Sequence, residues 1–272
     1  MMSRHTFISV AMTAGCVVSP LVGQTRTPSS APPSKPSAPV IERRTAPAVP
    51  FAPGEMLTYD ISWSSYLTAA TATLTVKERK PSYGSDAYYI VAEGRPTPLI
   101  SRLYDLYYKA ETLVDVYSLL SQRASIFSQE GRRQRTKVTT FDRRMRRAQY
   151  EVQTATVVKK NVAVSKDAQD VLGALYAVRA TPLRSGARFS IPICDGGEAY
   201  IAQVRVGPVE SVKTGIGEIR AFKLTPELSS IDAAPARHLT LWVSEDHRRL
   251  PVRMQAELAM GSFDLTLRST NR

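Results

Sequence analysis

Alternation of apolar and other residues with a period of two is the feature that most restricts how this chain can fold. Between Leu57 and Trp63, apolar side chains occupy every second position, and the same alternation recurs at 252–260 and 263–267. Successive side chains of a strand point to opposite faces, so each segment predicts a strand with one buried and one solvated face. Antiparallel sheets have this character.

Further segments that are rich in β-branched and aromatic residues predict more strands, separated by turns such as the one at Gly196 and Gly197. These strands are expected at 67–76, 87–93, 108–117, 122–130, 132–141, 146–157, 187–194, 198–212, 217–226 and 237–244. Many strands at short spacing are typical of barrels and sandwiches. The predicted fold is mainly β, an antiparallel barrel or half-barrel with one crossing helix. We expect Trp63, Leu258 and Leu265 to be buried in it.

One segment has the period of a helix instead. Apolar residues recur at helical spacing across 167–180, and Pro182 follows as a stop signal. Ser165 or Asp167 is the predicted N-cap of this helix. We expect the helix to pack across the barrel as a lid or plug, and a shorter helix is predicted at 98–104.

The first fifty residues have the composition of a leader followed by a tether. A basic start is followed by an apolar stretch at 7–22 that is too short and too interrupted to span a membrane. We interpret 1–23 as a secretory signal peptide, 24–53 as a Pro-rich disordered linker and 54–272 as a single β-rich domain. The expected location is the periplasm or the outer membrane, outside the cytoplasm.

Two cysteines are present, Cys16 and Cys194, so the chain has no disulfide framework. The residues before Cys16 resemble a lipoprotein box, which would make Cys16 a lipidated N-terminus. Cleavage after Gly23 is the alternative, and it would remove Cys16 with the leader. We expect membrane association only if Cys16 is lipidated, and Cys194 is predicted to be a buried, inert thiol.

The chain carries a formal net charge of +12. Export argues against a nucleic-acid partner, so an anionic lipid or another anionic envelope component is the partner that this charge favours. Basic residues concentrate on one predicted hairpin: Arg132, Arg133, Arg135, Lys137, Arg143, Arg144, Arg146 and Arg147. They are interpreted either as a contact for anionic lipid or glycan, or as charges that protect a sheet edge.

Four segments together resemble a family of bacterial exported proteins known as domain-of-unknown-function family 3108. They are GEMLTYDISW at 54–63, QDVLGALY at 169–176, TGIG at 214–217 and WVSED at 242–246. The order and spacing of these segments cover nearly all of 54–270. The resemblance implies an exported β-rich protein with no assigned reaction and supplies no catalytic residue.

Aromatic and cationic residues provide the candidate ligand contacts, and these are Tyr59, Trp63, Tyr176, Arg179 and Trp242. Arg179 has two interpretations. It either binds an anionic head group at the mouth of the barrel, or it stabilises the C-terminus of its helix, where a cation is favoured.

Catalytic and metal-binding patterns are weak in this sequence. Residues 244–247 (SEDH) contain nucleophile, acid and base types, but a triad draws its members from separate segments, so a hairpin loop is the better interpretation. Only His238 and His247 follow the leader, which excludes a His-rich metal site. We assign no catalytic residue, metal or cofactor.

Three functions remain open at this point. The favoured one is a non-enzymatic cell-envelope protein that binds an amphipathic or lipidic ligand, or an envelope component, because the small side chains of Ala70, Thr71, Ala72 and Thr73 would leave room inside a barrel. The alternatives are a hydrolase of envelope glycans with paired carboxylates, and an assembly protein with no small-molecule ligand. The oligomeric state is left open.

Overall fold

The computed structural model describes residues 44–63, 67–102, 105–230, 239–258 and 261–272, except for the side chains at positions 67, 230, 258 and 261. The predicted leader, the lipidation candidate Cys16 and the side chain of Leu258 therefore lie outside the described residues. Within the described part, one antiparallel sheet of 14 strands dominates the fold.

The first eight strands form one side of this sheet. They are β1 (Met56–Trp63), β2 (Leu67–Ser82), β3 (Ser85–Pro96), β4 (Leu106–Asp115), β5 (Ser121–Glu130), β6 (Arg133–Asp142), β7 (Arg147–Gln153) and β8 (Val157–Ala163). Each pairs with its neighbour in sequence, so this half is a meander of hairpins. The turn between β2 and β3 has Tyr83 and Gly84 with φ of 49° and 75°, the left-handed geometry that suits two-residue hairpins.

The last six strands form the other side. They are β9 (Arg188–Asp195), β10 (Glu198–Thr214), β11 (Gly217–Ser230), β12 (Leu239–Ser244), β13 (Pro251–Leu258) and β14 (Gly261–Thr270). Gly196 and Gly197 form the predicted turn between β9 and β10, again with positive φ.

The two halves join through the ladder between β1 and β14, in which Tyr59 is opposite Leu267. The side chain of Asn271 extends this junction, because it accepts a hydrogen bond from the Met56 N–H and donates one to the Gly54 carbonyl, both at 2.8 Å. At the far ends, β8 and β9 do not pair with each other. The fold is therefore the half-barrel form of the predicted architecture: mainly β, antiparallel and not closed.

In the described part of the chain, two helices accompany the sheet, α1 (Pro98–Ser101) and α2 (Val171–Ala180). The predicted helix end at residue 180 is correct, but the predicted cap is wrong. Asp170 is the N-cap, and its carboxylate accepts hydrogen bonds from the N–H groups of Leu172 and Gly173. The helix begins late because Gln169 is extended and bridges to Ile193 of β9. Within the described residues, no helix is long and apolar enough to cross a membrane.

Two other predictions need correction. The single strand expected at 146–157 is two strands, β7 and β8, since the chain reverses between them and the Thr154 N–H donates to the Thr156 carbonyl. Trp63, expected in the core, is 48% exposed at the end of β1, where its ring stacks on Phe263. Leu265 is partly buried and packs against the core.

The core lies on the face of the sheet that packs against α2. One cluster of buried residues surrounds Leu57, Tyr59 and Tyr176 near the centre of the sheet. A second cluster joins α2 to the β9–β13 half. A third joins Val162 of β8 to Cys194 of β9, so side chains fill the gap that the two unpaired edges leave.

Candidate functional site

Helix α2 and the inner face of the sheet enclose a cavity of about 440 Å³. Its lining residues come from both halves of the sheet and from the helix. This volume lies in the range of small-molecule sites, about 300–1,000 Å³. A core that was filled by side chains would leave no void much larger than a water molecule.

Small residues make room on the β2–β6 side. Leu74, Ala92, Ala110 and Ile126 are successive cross-strand partners, so they form one row over four strands, and all of them line the cavity. Two alanines at the centre of the row keep the side chains short where a packed core would place leucine or valine. The row continues on β6 with Lys137, which is opposite Ile126.

The opposite wall is built from large apolar side chains in a second cross-strand row. The members of that row all line the cavity and are Leu224, Leu241, Met254 and Leu265. Helix α2 contributes Leu172, Leu175 and Val178, residues of the apolar face that the sequence predicts. The cavity therefore has an apolar interior with few polar groups, which is the composition of a site for an apolar or amphipathic molecule.

Three polar side chains of the lining are already bonded within the protein. The Tyr59 hydroxyl donates to the Pro251 carbonyl at 2.8 Å. Asp170 accepts a hydrogen bond from the Thr112 hydroxyl at 2.6 Å in addition to capping α2. Glu111 forms an ion pair with Lys109 at 2.7 Å.

Glu111 is ionised in this arrangement. Burial alone would raise the pKa of its carboxyl, but hydrogen bonds from Lys109 and Tyr89 and the charge of Lys109 lower that pKa overall. A lowered pKa is the opposite of what a general acid in a glycosidase requires. Glu111 is therefore an acceptor in a structural network.

Lys137 differs from these groups. It lines the cavity and is half-buried, and no residue in the described ranges forms an ion pair or a hydrogen bond with its ammonium group. Asp195 also lines the cavity and is not ion-paired with Lys137. By the alternation of the strand, the side chains of Arg133 and Arg135 share the face of Lys137, and both are exposed at the start of β6.

The position of β6 separates the members of the basic hairpin. β6 pairs with β5 from its first residue, but its ladder with β7 begins at Thr136, so Lys137 lies in the interior of the sheet and Arg133 and Arg135 lie where β6 has a free edge. Protection of a sheet edge is therefore the wrong explanation for Lys137, whereas it fits Arg133 and Arg135. Arg143, by contrast, is structural, since its guanidinium donates to the Ala168 carbonyl at 2.6 Å beside the start of α2.

The lining also includes Cys194, the one cysteine in the described part of the chain. It is fully buried, and burial raises the pKa of its thiol to about 11. A thiol with this pKa is almost entirely protonated at neutral pH and is a poor nucleophile. The prediction that the Cys194 thiol is buried is confirmed.

Of the five ligand-contact candidates, only Tyr59 lines the cavity. Tyr176 and Arg179 lie together behind it, where both are 1% exposed. The Arg179 guanidinium binds Glu55 through two nitrogens, at 2.6 and 3.0 Å, and donates to the carbonyls of Arg248 and Arg249. The Arg179 guanidinium thus bonds to groups of the protein itself, instead of the anionic head group of the first interpretation. These bonds hold the last turn of α2 against two loops.

The predicted linker contributes to this buried cluster. Phe51 is 3% exposed, and its ring makes edge-to-face contacts with Tyr176 at 4.7 Å and Tyr88 at 5.3 Å between centroids. The Arg179 guanidinium lies 5.4 Å from the Phe51 ring. Residues just before β1 therefore belong to the core of the described domain.

The two tryptophans lie elsewhere. Trp63 is at the exposed end of β1 and outside the cavity lining. Trp242 is buried on the other face of β12 from Leu241 and Val243, where its indole N–H donates to Glu210 at 3.0 Å. The Arg253 guanidinium lies 5.1 Å from the Trp242 ring, so the indole contacts charged groups although it belongs to the buried cluster around Leu57 and Tyr59.

Residues 244–247 form the loop between β12 and β13 that the sequence predicts. The Ser244 hydroxyl donates to Asp246 at 2.7 Å, and Asp246 accepts a further bond from the Arg248 side chain at 2.8 Å. The short Ser–Asp contact fixes the turn, because the Leu250 N–H donates to the same hydroxyl. Across the described residues, no group of His, Cys, Asp and Glu side chains is arranged to hold a metal ion.

Sequence reasoning missed the cavity residues that matter most: Ala92, Ala110, Ile126, Lys137, Leu224 and Leu241. Their strands were predicted, but which residues face each other depends on register, and register is set by hairpin turns and bulges. One available signal was the cationic series on β6. Its period of two already placed Lys137 on one face with Arg133 and Arg135.

The fold and the cavity together define an open antiparallel β half-barrel with an apolar interior that one helix covers. The chain belongs to the family DUF3108, described as proteins of unknown function, whose family model matches residues 58–268. The resemblance seen in the sequence is thereby confirmed. No curated protein matches this chain.

Three solved bacterial structures are similar to this chain to different degrees, and the first of them supports the β-barrel-like fold. A β-barrel-like protein of domain of unknown function DUF1849 from Brucella abortus superposes with a TM-score of 0.50 at 10% identity, covering 79% of this chain and 96% of that one. A protein from Bacteroides fragilis, described as exported and with a YmcC-like fold, has a TM-score of 0.33 at 11% identity, covering 84% and 100%. A protein described as a lipoprotein from Parabacteroides distasonis has a TM-score of 0.34 at 10% identity, covering 82% and 98%.

Proposed function

We propose that this protein is a non-enzymatic component of the cell envelope that binds an amphipathic or lipidic molecule in the cavity between α2 and the sheet. The observation that carries the proposal is the cavity itself, about 440 Å³ in volume and lined almost entirely by apolar side chains. An empty apolar void of this size destabilises a core, which favours a binding role for it. The proposal includes export, which rests on the apolar and Pro-rich N-terminal sequence.

The cavity favours binding over glycan hydrolysis. A glycosidase needs two carboxyl groups that face each other across the substrate. Here Asp170 is bonded to Thr112 and to the start of α2, and Glu111 is paired with Lys109. A sugar would also find few free hydrogen-bond partners on the alanine and leucine walls.

The test is to fill the cavity. Ala92→Leu combined with Ala110→Leu would extend two neighbouring side chains of the same cross-strand row into the space. Protein expressed with its leader and purified gently from bacterial envelopes would be examined by native mass spectrometry, and its organic extract by chromatography with mass spectrometry. We expect wild-type protein to carry an apolar molecule and the double variant to lose most of it.

Ala163→Leu is the control, since it makes the same type of substitution once, at an exposed position of β8. It should leave the bound molecule unchanged. The uncharged fluorescent probe N-phenyl-1-naphthylamine provides a second readout, with binding to wild type and to the control but not to the filled variant. Absence of any extractable molecule and of probe binding in wild type would refute the proposal, as would equal probe binding by the filled variant when it unfolds at the wild-type temperature.

A further inference from the structure

We propose that the ligand has an anionic head group, a carboxylate or a phosphate, and that Lys137 binds it at the end of the apolar cavity. This inference rests on the proposed function and adds the chemistry of the ligand's polar end. Lys137 follows four aliphatic residues in one cross-strand row, which are Leu74, Ala92, Ala110 and Ile126. The row thus changes from an aliphatic surface to a cation within one strand spacing.

The energetic argument concerns desolvation. A half-buried ammonium group loses part of its hydration, and that loss is compensated only when an anion or another acceptor replaces the water. Lys109, which lies on β4, two strands from Lys137 and on the other face, has such a partner in Glu111 at 2.7 Å. Lys137 has none within the described part of the chain, so an anionic group from the ligand is the partner that its position fits.

The neighbouring charges also favour a ligand with a negatively charged head group. Arg133 and Arg135 precede Lys137 on the same face, and exposure decreases along the strand from these arginines through Lys137 to the buried Thr139. Three cations in line toward the cavity create a positive potential along its approach. Of the acidic residues in the cavity lining, Glu111 is paired with Lys109 and Asp170 caps α2, which leaves Asp195 as the acidic lining residue that has no such partner in the described part of the chain. An anionic head group would meet this potential before its chain enters the apolar space.

The experiment compares three molecules that have the same alkyl chain: dodecanoate, dodecyl phosphate and dodecanol. Each would compete with N-phenyl-1-naphthylamine for the full-length protein. We expect the carboxylate or the phosphate to bind at least about tenfold more tightly than the alcohol, the range of a hydrogen bond to a charged group. The two anions distinguish a fatty-acid-like head from a phospholipid-like one.

Lys137→Gln should abolish the preference for the anions over dodecanol, and Lys137→Arg should retain it. Thermal unfolding of Lys137→Gln should occur at or above the wild-type temperature, because an unpaired, partly desolvated charge is removed. Lys159→Gln is the control. Lys159 lies on β8, forms an ion pair with Glu151 at 3.2 Å, and its side chain is 59% exposed. It should keep the wild-type preference.

The outcomes separate the inference from the function beneath it. Equal binding of all three molecules by wild type overturns the anionic head group and leaves the cavity as a lipid site. An anion preference that survives Lys137→Gln overturns the assignment to Lys137. Failure of all three molecules and of the probe to bind refutes the proposed function itself.

Discussion

Arg179 is a cation that the fold buries completely, and the carboxylate of Glu55 compensates its charge. Burial alone would lower the pKa of the Arg179 guanidinium, but the ion pair with Glu55 raises it, and the group stays charged in the core. The sequence indicated a cation near the end of a helix but not its partner, because Glu55 lies 124 positions away in the chain. No local pattern reports such a pair.

Glu55→Gln should therefore lower the free energy of unfolding by about 3–5 kcal/mol, the cost of leaving one member of a buried ion pair without its partner. The measurement is urea unfolding followed by tryptophan fluorescence. Glu227→Gln is the matched control, since its pair with Arg205 is 65% and 56% exposed and should contribute at most about 1 kcal/mol. If the two variants unfold with the same free energy, the buried pair does not have the role described here.

At the scale of elements, period and propensity predicted most strands and the end of α2 correctly, whereas its start was misplaced. Asp167 is a good cap residue by type, yet the backbone around Gln169 pairs with β9 instead. The Gln169 side chain accepts hydrogen bonds from both the N–H and the hydroxyl of Ser121 on β5. Contacts to distant strands thus outweigh local capping, which a single-sequence pattern does not contain.

Gly173 allows α2 to approach β5 this closely. A Cβ atom at Gly173 would lie 2.2 Å from the Ser121 hydroxyl and 2.8 Å from the Asp170 carboxylate. By helix propensity alone, Gly173→Ala should stabilise the helix by about 1 kcal/mol. We expect the opposite sign, because the methyl group would displace Ser121 and the N-cap hydrogen bonds.

The check is thermal and urea unfolding of Gly173→Ala beside Val171→Ala, a change at a 51% exposed position of the same first turn. The Val171 variant should stay within about 0.5 kcal/mol of wild type, as surface substitutions usually do. A Gly173→Ala protein that is more stable than wild type would show that the helix can shift away from β5 without loss.

At the scale of the whole molecule, the sequence predicted the mainly β class and the half-barrel with one helix, which the structure confirms. It also predicted room inside the barrel from four small residues of β2, and two of them, Ala72 and Thr73, line the cavity. It did not predict the other walls or the volume, because these depend on how two distant halves of the sheet face each other. The same limit applies to the five candidate contacts. Aromatic residues are prominent in a sequence, but alanines such as Ala92 and Ala110 make the space, and nothing in their local sequence distinguishes them from alanines in a filled core.

The predicted leader concerns the whole molecule as well, and it gives a test of location. Mass spectrometry of the native N-terminus should find a chain that begins at Cys16 with attached acyl groups or one that begins at Gln24. Cys16→Ser would abolish the first product and leave the second unaffected. A chain that retains Met1 in the mature protein would contradict export.

The junction between β1 and β14 has a consequence for how the molecule folds. The strands that lie side by side at the centre of the sheet are the first and the last along the chain, with Leu57 opposite Thr270. Each half is a series of hairpins that can form locally. The ladder between β1 and β14 instead requires closing a loop of more than two hundred residues, and the loss of chain entropy makes this step slow. Synthesis must reach β14 before that ladder can form, so a chain still emerging would expose the inner edge of β1 to other strands.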